Sequence, residues 1–379
     1  MTSILHVTHT DIFNDARINK EIDALQEVPQ FSVYGLGISG HNQKSFCKNL
    51  DNLHLTLAPK ASQGKAVRTF LVPLSFIEMF FKHLIFFISR KPDIIHCHDF
   101  ICFLSCIFGK MILGCRLVYD AHELESDKNG SSWIGSIITK TFEKIFWRDV
   151  DLFITVSQRI NDWYRKNYGT VNSIIILNSP SVDERYAENN RLNYLREKFR
   201  ISESRLVFIY VGFFAEGRGI RLLLDLFGVD FSAADIVFLG YGPLETEIAR
   251  IEGECSNIHL HEQVEHTAVT RIVRSANYGL CFIEPVSLSD YFCLPNKLFE
   301  YAFSGTYVIA SKFPEIETVV SKHRLGVCCD ASIESMRECI AGILATKPAS
   351  SSCDLEDLSW EFQSKKLKEG YLGLVSIEV

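Results

Sequence analysis

Residues 206–220 read LVFIYVGFFAEGRGI, an apolar run followed by a glycine-rich segment. A short continuous apolar run is typical of a buried strand in a parallel sheet. Glycines 212, 217 and 219 permit a tight turn, and the helix expected after them offers free backbone N–H groups beside Arg218. The segment predicts a strand, an anion-binding turn and a helix; taken alone, an ordinary strand-to-helix turn fits it equally well.

The same alternation of apolar runs and helical patterns extends to both sides of this segment. Helical patterns such as 14–26 and 133–147 separate most of the runs. Candidate strands are 4–8, 31–36, 53–57, 93–97, 116–120, 152–156, 173–177, 206–211, 235–239, 257–261, 278–283 and 306–310. Such alternation predicts an α/β fold with two doubly wound, Rossmann-like domains facing a central cleft.

The alternation lapses between residues 179 and 205, and 379 residues exceed the usual size of one domain. We therefore predict a first domain at 1–180, a linker at 181–205 and a second domain at 206–355. A last helix, within 356–379, is expected to pack back on the first domain.

Charge and cysteine content exclude several classes of protein. Lys plus Arg total 39 against 46 Asp plus Glu, so no basic excess favours nucleic acid. The twelve cysteines lack the spacing of a zinc site and are expected to be reduced core thiols. The first ten residues lack the pattern of a signal peptide, which predicts a cytoplasmic protein.

Residues 71–88 form the most apolar helical pattern, interrupted by Glu78, Lys82 and His83. We favour a buried helix of the first domain over a membrane span. The alternative is a helix that touches a membrane or a lipid-linked substrate, helped by basic residues nearby. These residues are Lys60, Lys65, Arg68, Arg90 and Lys91.

A second candidate anion site lies at residues 294–305, LPNKLFEYAFSG. Pro295 is expected to open a helix with Asn296 and Lys297 in its first turn and Glu300 one turn later on the same face. A cation at a helix N-terminus opposes the macrodipole, which a bound diphosphate would explain. Glu300 is suited to accept two ribose hydroxyls. A solvated ion pair is the alternative.

Polar residues follow three strands of the first domain, where sites gather in this architecture. They are His9 and Asp11, then His96, His98 and Asp99, then His122. The spacing His96-x-His98 suits a metal, but the sequence indicates no third ligand, so no metal is expected.

Together the motifs resemble glycosyltransferase family 4, of GT-B fold, over nearly the whole chain. They are DARINKE (15–21), DIIHCHD (93–99), YDAHE (119–123), VS (156–157), NSP (178–180), the glycines from 212 to 219, GYGP (240–243), PNKLFEY (295–301) and SW (359–360). The resemblance implies transfer of a sugar from a nucleotide donor with retention at the anomeric carbon and without metal or other cofactor. It places the donor mainly in the second domain and the acceptor in the first.

Carried over by position, the resemblance assigns the donor diphosphate to Gly212 and Arg218, the ribose to Glu300 and the donor sugar to His122. The family often has Arg at the position of Phe213 and a first glutamate at Phe292. These departures leave the diphosphate to Arg218 and Lys297. Our candidate catalytic residues are therefore His122, Arg218 and Lys297, with Gly219 and Asn296 added on the donor side and His9, Asp11, His98 and Asp99 on the acceptor side.

The sequence favours a retaining glycosyltransferase that acts on a glycan or glycolipid in surface polysaccharide or lipopolysaccharide synthesis. It is expected to work from the cytoplasmic side, with a peripheral contact to the inner membrane face as one option. A nucleotide-sugar epimerase of the same fold and a non-catalytic donor-binding partner subunit are the alternatives.

Overall fold

The computed structural model describes residues 1–39, 43–45, 49–58, 65–181, 193–349 and 354–376. The chain divides into two compact units. Unit 1 comprises Met1–Ile176 and Ser364–Val379, and unit 2 comprises Leu177–Gln363. Within the predicted linker, residues 182–192 lie outside the described ranges, and a short helix follows them whose Leu195 is buried in the core of unit 2.

Unit 1 is built on a sheet of eight described strands in the order β3-β4-β2-β1-β5-β6-β7-β8. Among the described residues these strands pair in parallel, except that β3 and β4 are antiparallel. The strands are β1 (Thr2–Val7), β2 (Phe31–Ser39), β3 (Gln43–Ser45), β4 (Leu50–His54), β5 (Ile94–His98), β6 (Arg116–Ala121), β7 (Leu152–Thr155) and β8 (Ser173–Ile175). The helices are α1 (Ala16–Gln26), α2 (Lys65–Arg90), α3 (Asp99–Leu113), α4 (Trp133–Phe146) and α5 (Gln158–Tyr168).

Unit 2 carries a parallel sheet of six described strands in the order β11-β10-β9-β12-β13-β14. Its strands are β9 (Val207–Phe213), β10 (Asp235–Tyr241), β11 (Ile258–His261), β12 (Tyr278–Cys281), β13 (Tyr307–Ser311) and β14 (Gly326–Cys329). Its helices are α6 (Tyr194–Phe199), α7 (Ile220–Asp225), α8 (Glu245–Glu252), α9 (His266–Val273), α10 (Leu288–Tyr291), α11 (Asn296–Phe303), α12 (Pro314–Lys322) and α13 (Ile333–Thr346). Two buried apolar clusters pack in unit 2, formed by alternate residues of its strands.

Both sheets reverse their strand order at one point, between β1 and β5 in unit 1 and between β9 and β12 in unit 2. Connections on either side of such a point leave toward opposite faces of the sheet, so a crevice opens at the carboxyl ends of those two strands. The candidate residues of each unit lie around these strand ends.

The C-terminal helix α14 (Trp360–Ser376) begins after Ser359, whose hydroxyl accepts a hydrogen bond from the N–H of Phe362. Most of the helix belongs to unit 1. There the Tyr371 hydroxyl lies 2.6 Å from Nδ1 of the buried His96, so α14 reaches the middle of the unit 1 sheet.

Two predictions about the first domain are wrong. The strand predicted at 53–57 lies at Leu50–His54, because these are the residues that pair with β2, and Leu55 is buried just after the strand ends. The helix predicted to be buried at 71–88 is largely exposed, since only 17% of its most apolar 18-residue window is buried.

The orientation of α2 explains that exposure. Its polar stripe faces unit 1: Glu78 accepts hydrogen bonds from the N–H groups of Thr56 and Leu57, and Lys82 donates to the carbonyl of His54. Many of its apolar side chains therefore face outward, whereas Met79 and Phe87 are buried. Among the described residues Thr69–Arg90 is the helix that is long and apolar enough to cross a membrane, with a mean hydropathy of 1.8.

Candidate functional site

The glycine-rich loop of unit 2 leaves β9 at the strand-order reversal. Gly212, Gly217 and Gly219 have φ angles of 129°, 77° and 70°, a backbone conformation that L side chains rarely adopt. The first turn of α7 follows directly. The sequence puts glycine here because the chain must turn sharply and leave its backbone open to a ligand.

Lys297, in the first turn of α11, points toward this loop. A Cβ placed on Gly212 would lie 3.8 Å from the Cε atom of Lys297. The lysine side chain is 9% exposed, and its Nζ has no hydrogen-bond partner among the described residues. The Nζ atom lies over the Tyr210 ring, 3.6 Å from its centroid. Because a buried charge is costly unless it is paired, this ammonium is suited to bind an anionic ligand.

Arg218 is held beside the loop by an acid that the sequence analysis did not identify. The Nη1 atom of Arg218 lies 3.3 Å from Oδ1 of Asp290, which is buried at the start of α10 and accepts a hydrogen bond from the Ser287 hydroxyl. Asp290 precedes Phe292 by two residues, so a carboxylate stands close in sequence to the position where the family's first glutamate is replaced.

Glu284 is a second acid that the sequence analysis missed. Its Oε1 accepts a hydrogen bond of 3.1 Å from the N–H of Gly219. No pattern in the sequence marks it, because its role depends on β12 lying next to β9 in the sheet.

Glu300 and Lys297 are both buried on α11, whereas Asn296 is exposed. Burial raises the pKa of the Cys281 thiol, at the end of β12, to about 12, and the charges of Lys297, Glu300 and Arg218 all act on it. The three charges thus all act on the end of β12. Asn296, the first residue of the helix and four residues before Glu300, is exposed to solvent at the helix N-terminus.

In unit 1 the predicted histidines meet at the ends of β5 and β6. His98 Nδ1 lies 3.2 Å from His122 Nε2, and that nitrogen lies 3.1 Å from Oδ2 of Asp120. Asp99 completes the group, with its Oδ1 atom 3.7 Å from His122 Nδ1. His98 is fully buried and His122 is 21% exposed, so His122 is the member of the pair that solvent or a ligand reaches.

Electrostatics hold His122 in its charged form. Burial lowers its pKa, but the carboxylates of Asp99 and Asp120 outweigh burial and raise the pKa to about 9. A protonated His122 offers a hydrogen-bond donor and a positive charge at the strand ends near neutral pH.

The two remaining acceptor-side candidates differ in their contacts. His9 Nδ1 lies 3.9 Å from Asp99 Oδ2, so His9 joins the histidine group. Asp11 instead accepts a hydrogen bond from the Asn52 side chain and one from the N–H of Phe13. Asp11 thus shapes the loop after β1.

Asp120, which contacts His122, is itself held by the buried Arg17. The Nη2 atom of Arg17 lies 3.1 Å from both oxygens of Asp120, and Nη1 donates to the carbonyl of Ile176. Arg17 lies within the motif DARINKE, which entered the family resemblance without a role for this side chain. Through its bond to Ile176, Arg17 links helix α1 to the last residue of the segment Met1–Ile176 of unit 1.

A family model described as Glycosyltransferase Family 4 matches residues 40–185. This match confirms the resemblance for that part of the chain, which includes the motifs DIIHCHD, YDAHE and NSP. No curated protein sequence matches the chain.

Solved structures of low identity resemble the whole chain. Sucrose-phosphate synthase (tll1590) from Thermosynechococcus elongatus is 15% identical, with a TM-score of 0.77 over 100% of both chains. The fold is GT-B. Anabaena Alr3699/HepE in complex with UDP-glucose is 11% identical, with a TM-score of 0.74 over 98% of this chain and 100% of that one. The lipopolysaccharide outer core galactosyltransferase WaaB is 11% identical, with a TM-score of 0.63 over 100% of both chains. The family match and the fold are thus both those of GT-B glycosyltransferases.

Proposed function

We propose that this chain transfers a sugar from a nucleoside diphosphate donor to a glycan or lipid-linked acceptor, with retention at the anomeric carbon and without a metal ion in the reaction. The observation that carries the proposal is the buried, unpartnered Nζ atom of Lys297 beside Gly212. A diphosphate satisfies that ammonium and fits next to a residue that has no side chain.

Each donor group has a counterpart in unit 2. Lys297 and Arg218 bind the diphosphate, with Gly212, Gly219 and Asn296 around it, and Asp290 holds the Arg218 guanidinium in place. Glu300 accepts the ribose hydroxyls. The cations lie where negative charge grows on the leaving nucleoside diphosphate, so they stabilise the transition state more than the ground state.

The proposed reaction exchanges one bond at the anomeric carbon. The bond between that carbon and the β-phosphate oxygen breaks, and the acceptor oxygen bonds to the carbon on the same face of the sugar. The acceptor proton passes to the leaving phosphate oxygen. In unit 1 the protonated His122 donates to the donor sugar, while His9, Asp11, His98 and Asp99 form the acceptor side.

The named relatives support a nucleotide sugar and a surface glycan. HepE is described in complex with UDP-glucose, and WaaB as a galactosyltransferase of the lipopolysaccharide outer core. We therefore place this chain in surface polysaccharide or lipopolysaccharide synthesis, in the cytoplasm.

We further propose that unit 1 docks on the inner membrane face. The helices α2 and α4 expose many large apolar side chains, and α3, which adds Met111 and Ile112, lies against both. Scattered apolar residues are normal on a surface, but a contiguous patch marks an interaction site. Exposed on α2 and α4 are Val67, Phe70, Val72, Phe76, Ile77, Phe81, Ile85, Ile88, Trp133, Ile134, Ile137, Ile138 and Ile145.

Helix α4 has the composition of an interfacial helix. Trp133 is 77% exposed and Ile134 63% exposed, and the exposed Lys140, Lys144 and Arg148 follow along the same segment. An apolar face with Trp beside Lys and Arg suits the headgroup region of an anionic bilayer. A lipid-linked acceptor would reach the enzyme there.

Product analysis tests the activity. The protein is incubated with UDP-glucose, UDP-galactose or their GDP analogues and a membrane glycolipid extract, and the products are separated by mass spectrometry. A new glycosidic bond supports the proposal. An isomerised nucleotide sugar would identify an epimerase, and binding without turnover would identify a partner subunit.

Calorimetry with UDP, GDP and ADP tests the site itself. Lys297→Ala should weaken binding of the preferred nucleotide by roughly 30- to 150-fold, the equivalent of about 2 to 3 kcal/mol for a charge-assisted contact. Lys312→Ala is the matched control, because Lys312 lies in the same unit with its side chain 51% exposed. Equal affinities of the two variants would contradict the assignment.

A further inference from the structure

A cluster of four buried side chains lies in unit 1 at the reversal of strand order. It comprises His6 on β1, His96 and His98 on β5, and Glu21 on α1, each 0% exposed. One ring nitrogen of each histidine and one carboxylate oxygen of Glu21 all lie within 4.8 Å of one another. The proposed transfer reaction does not use this cluster.

The topology explains why these side chains meet. His6 and His96 are partners in the register of the parallel strands β1 and β5, so they lie side by side. His98 follows His96 by two residues and therefore points to the same face of the sheet. Helix α1 follows β1, and its buried face includes Glu21.

Several polar atoms of the cluster have no hydrogen-bond partner in the described structure. They are Nε2 of His6, Nε2 of His96 and Oε2 of Glu21, whereas Oε1 of Glu21 forms an ion pair with Arg17. Nε2 of His96 lies 3.8 Å from Oε2 of Glu21 and 3.8 Å from Oδ2 of Asp120. Buried polar groups are almost always hydrogen-bonded, so unpaired atoms this close together need an explanation.

In His96 and in His6, the other ring nitrogen, Nδ1, already has a hydrogen-bond partner. Nδ1 of His96 lies 2.6 Å from the Tyr371 hydroxyl, and Nδ1 of His6 lies 3.0 Å from Nε2 of His98. Histidines that bind metals typically use one nitrogen for the ion and the other for such a hydrogen bond, which fixes the ring. Arg17 Nε lies 3.1 Å from Glu21 Oε1, which leaves Oε2 on the side of His96.

We propose that His6, His96 and Glu21 bind a divalent transition metal ion of the Zn²⁺ class, with His98 and Tyr371 orienting the two rings. Two imidazoles and a carboxylate are a ligand set that zinc uses in proteins. Zinc bonds of 2.0 to 2.1 Å place ligand atoms about 3.4 Å apart, so small side-chain rotations close the cluster around the ion.

The ion would join β1, β5 and α1 in the core of unit 1. We assign the ion a structural role, with a buried water molecule in its fourth position, because its three protein ligands are fully buried and His98 lies between His6 and the partly exposed His122. The proposal is therefore independent of whether the chain transfers a sugar.

Cobalt provides a spectroscopic test on the full-length protein. After dialysis against a chelator, titration with Co²⁺ should give visible absorption bands of a low-coordinate site that saturate at one equivalent, and Zn²⁺ should displace them. Zn²⁺ should also raise the melting temperature, since an ion that binds only the folded state stabilises it. A thiolate-to-cobalt charge-transfer band would place the ion on cysteine and overturn the proposal.

Substitution of the proposed ligands tests where the ion binds. Glu21→Gln and His96→Asn should lose the saturable bands, and Tyr371→Phe should weaken binding by about 10- to 100-fold because it acts through His96. His83→Asn is the matched control: His83 is also fully buried with an unpartnered Nε2, but its Nδ1 lies 2.8 Å from the Ser105 hydroxyl and it is not part of the cluster.

Binding of UDP, which concerns unit 2, and the circular dichroism spectrum show whether each variant is folded. Wild-type protein that binds no Co²⁺ beyond the level of Glu21→Gln would overturn the proposal. So would loss of the bands in His83→Asn to the same degree as in His96→Asn.

Discussion

The Nζ atom of Lys297 lies 3.6 Å from the centroid of the Tyr210 ring, and the Tyr210 side chain is fully buried. The aromatic face offsets part of the desolvation of the ammonium, as a cation–π contact of this kind is worth about 2 kcal/mol when desolvated. Lys297 thus lies beside an aromatic ring and without a hydrogen-bond acceptor at the point where we propose that a phosphate binds. Without ligand, such a residue is expected to lower stability.

Lys297→Met should separate stability from binding. Methionine keeps an unbranched side chain but removes the buried charge, so the free energy of unfolding of the ligand-free protein should rise by on the order of 1 to 3 kcal/mol. Affinity for the nucleoside diphosphate should fall. Urea unfolding with and without UDP measures both effects. A ligand-free variant less stable than the wild type would show that the ammonium already has a partner.

Arg218→Ala should reduce transfer by about 30- to 150-fold, which corresponds to on the order of 2 to 3 kcal/mol for a charge-assisted contact to the donor phosphates. The steady-state rate at low donor concentration measures this loss. Arg221→Ala is the control: Arg221 lies three residues away, is 50% exposed and pairs with Glu216 and Glu247. Near-normal turnover of Arg218→Ala would refute its assigned role.

Glu300→Gln tests the ribose contact. The wild type should bind UDP more tightly than 2′-deoxy-UDP, because a hydrogen bond to a charged acceptor is worth about 1.5 to 3 kcal/mol. In the variant this preference should shrink, while the fold is preserved by the similar shape of glutamine. Calorimetry with both nucleotides decides the matter. If the variant keeps the full preference, Glu300 does not contact the 2′-hydroxyl.

Glu143 makes the stability of unit 1 depend on pH. Burial raises its pKa to about 7, although the hydroxyls of Tyr119, Tyr164 and Tyr168, which donate to it, act in the opposite direction. Because the folded pKa lies above the unfolded value of about 4.5, the folded state holds the extra proton between these two pH values. The stability that this proton confers is complete below pH 4.5 and is lost as pH rises through 7.

The loss should amount to about 3 kcal/mol, from about 1.4 kcal/mol for each pH unit between the two pKa values. Denaturant unfolding between pH 4.5 and 8 measures it. Glu143→Gln carries no titrating proton, so the difference between wild type and variant isolates this contribution. A difference that stays constant across the range would mean that Glu143 titrates normally in the folded protein.

The sequence sufficed for the fold because apolar strands and glycine turns are local signals. The strand after residue 206 and the helix after Pro295 lie within two residues of their predicted bounds. They lie close together because β9 and β12 are neighbours in the doubly wound sheet. The buried helix at 71–88 was wrong because composition cannot tell which face of a helix packs. Its three polar residues suggested the solvent face, yet Glu78 and Lys82 bind backbone groups of unit 1.

Some residues of the candidate donor site and of the histidine cluster meet only because distant segments of the chain lie next to each other in the sheets. Asp290 reaches Arg218 over 72 residues of chain, and His6 meets His98 over 92. The sequence analysis expected no metal at His96-x-His98 because no third ligand was apparent. His6 and Glu21 became candidates only when the register of β1 with β5 and the position of α1 were known.

The membrane contact of unit 1 should depend on salt. Each basic residue near an anionic surface contributes about 1 kcal/mol, and that attraction is screened beyond a Debye length. Arg90 and Lys91, at the end of α2, are exposed, whereas Lys60 and the side chains of Lys65 and Arg68 lie outside the described residues. Co-sedimentation with anionic vesicles should fall as salt rises and when these five residues are changed to Gln. Charge-matched control changes to Gln in unit 2 are Lys198, Arg250, Lys312, Lys322 and Arg337.

The exposed apolar side chains of α2 and α4 should contribute membrane binding that does not depend on salt. Trp133→Asp should lower co-sedimentation at low and high salt alike, because it places a charge at the most exposed large apolar side chain of α4. If high salt abolishes binding and Trp133→Asp has no effect, the membrane contact is purely electrostatic. If the wild type stays in the supernatant at low salt, unit 1 does not dock on lipid through α2 and α4. That outcome would favour a soluble acceptor, or one delivered by a protein that covers the same apolar helices.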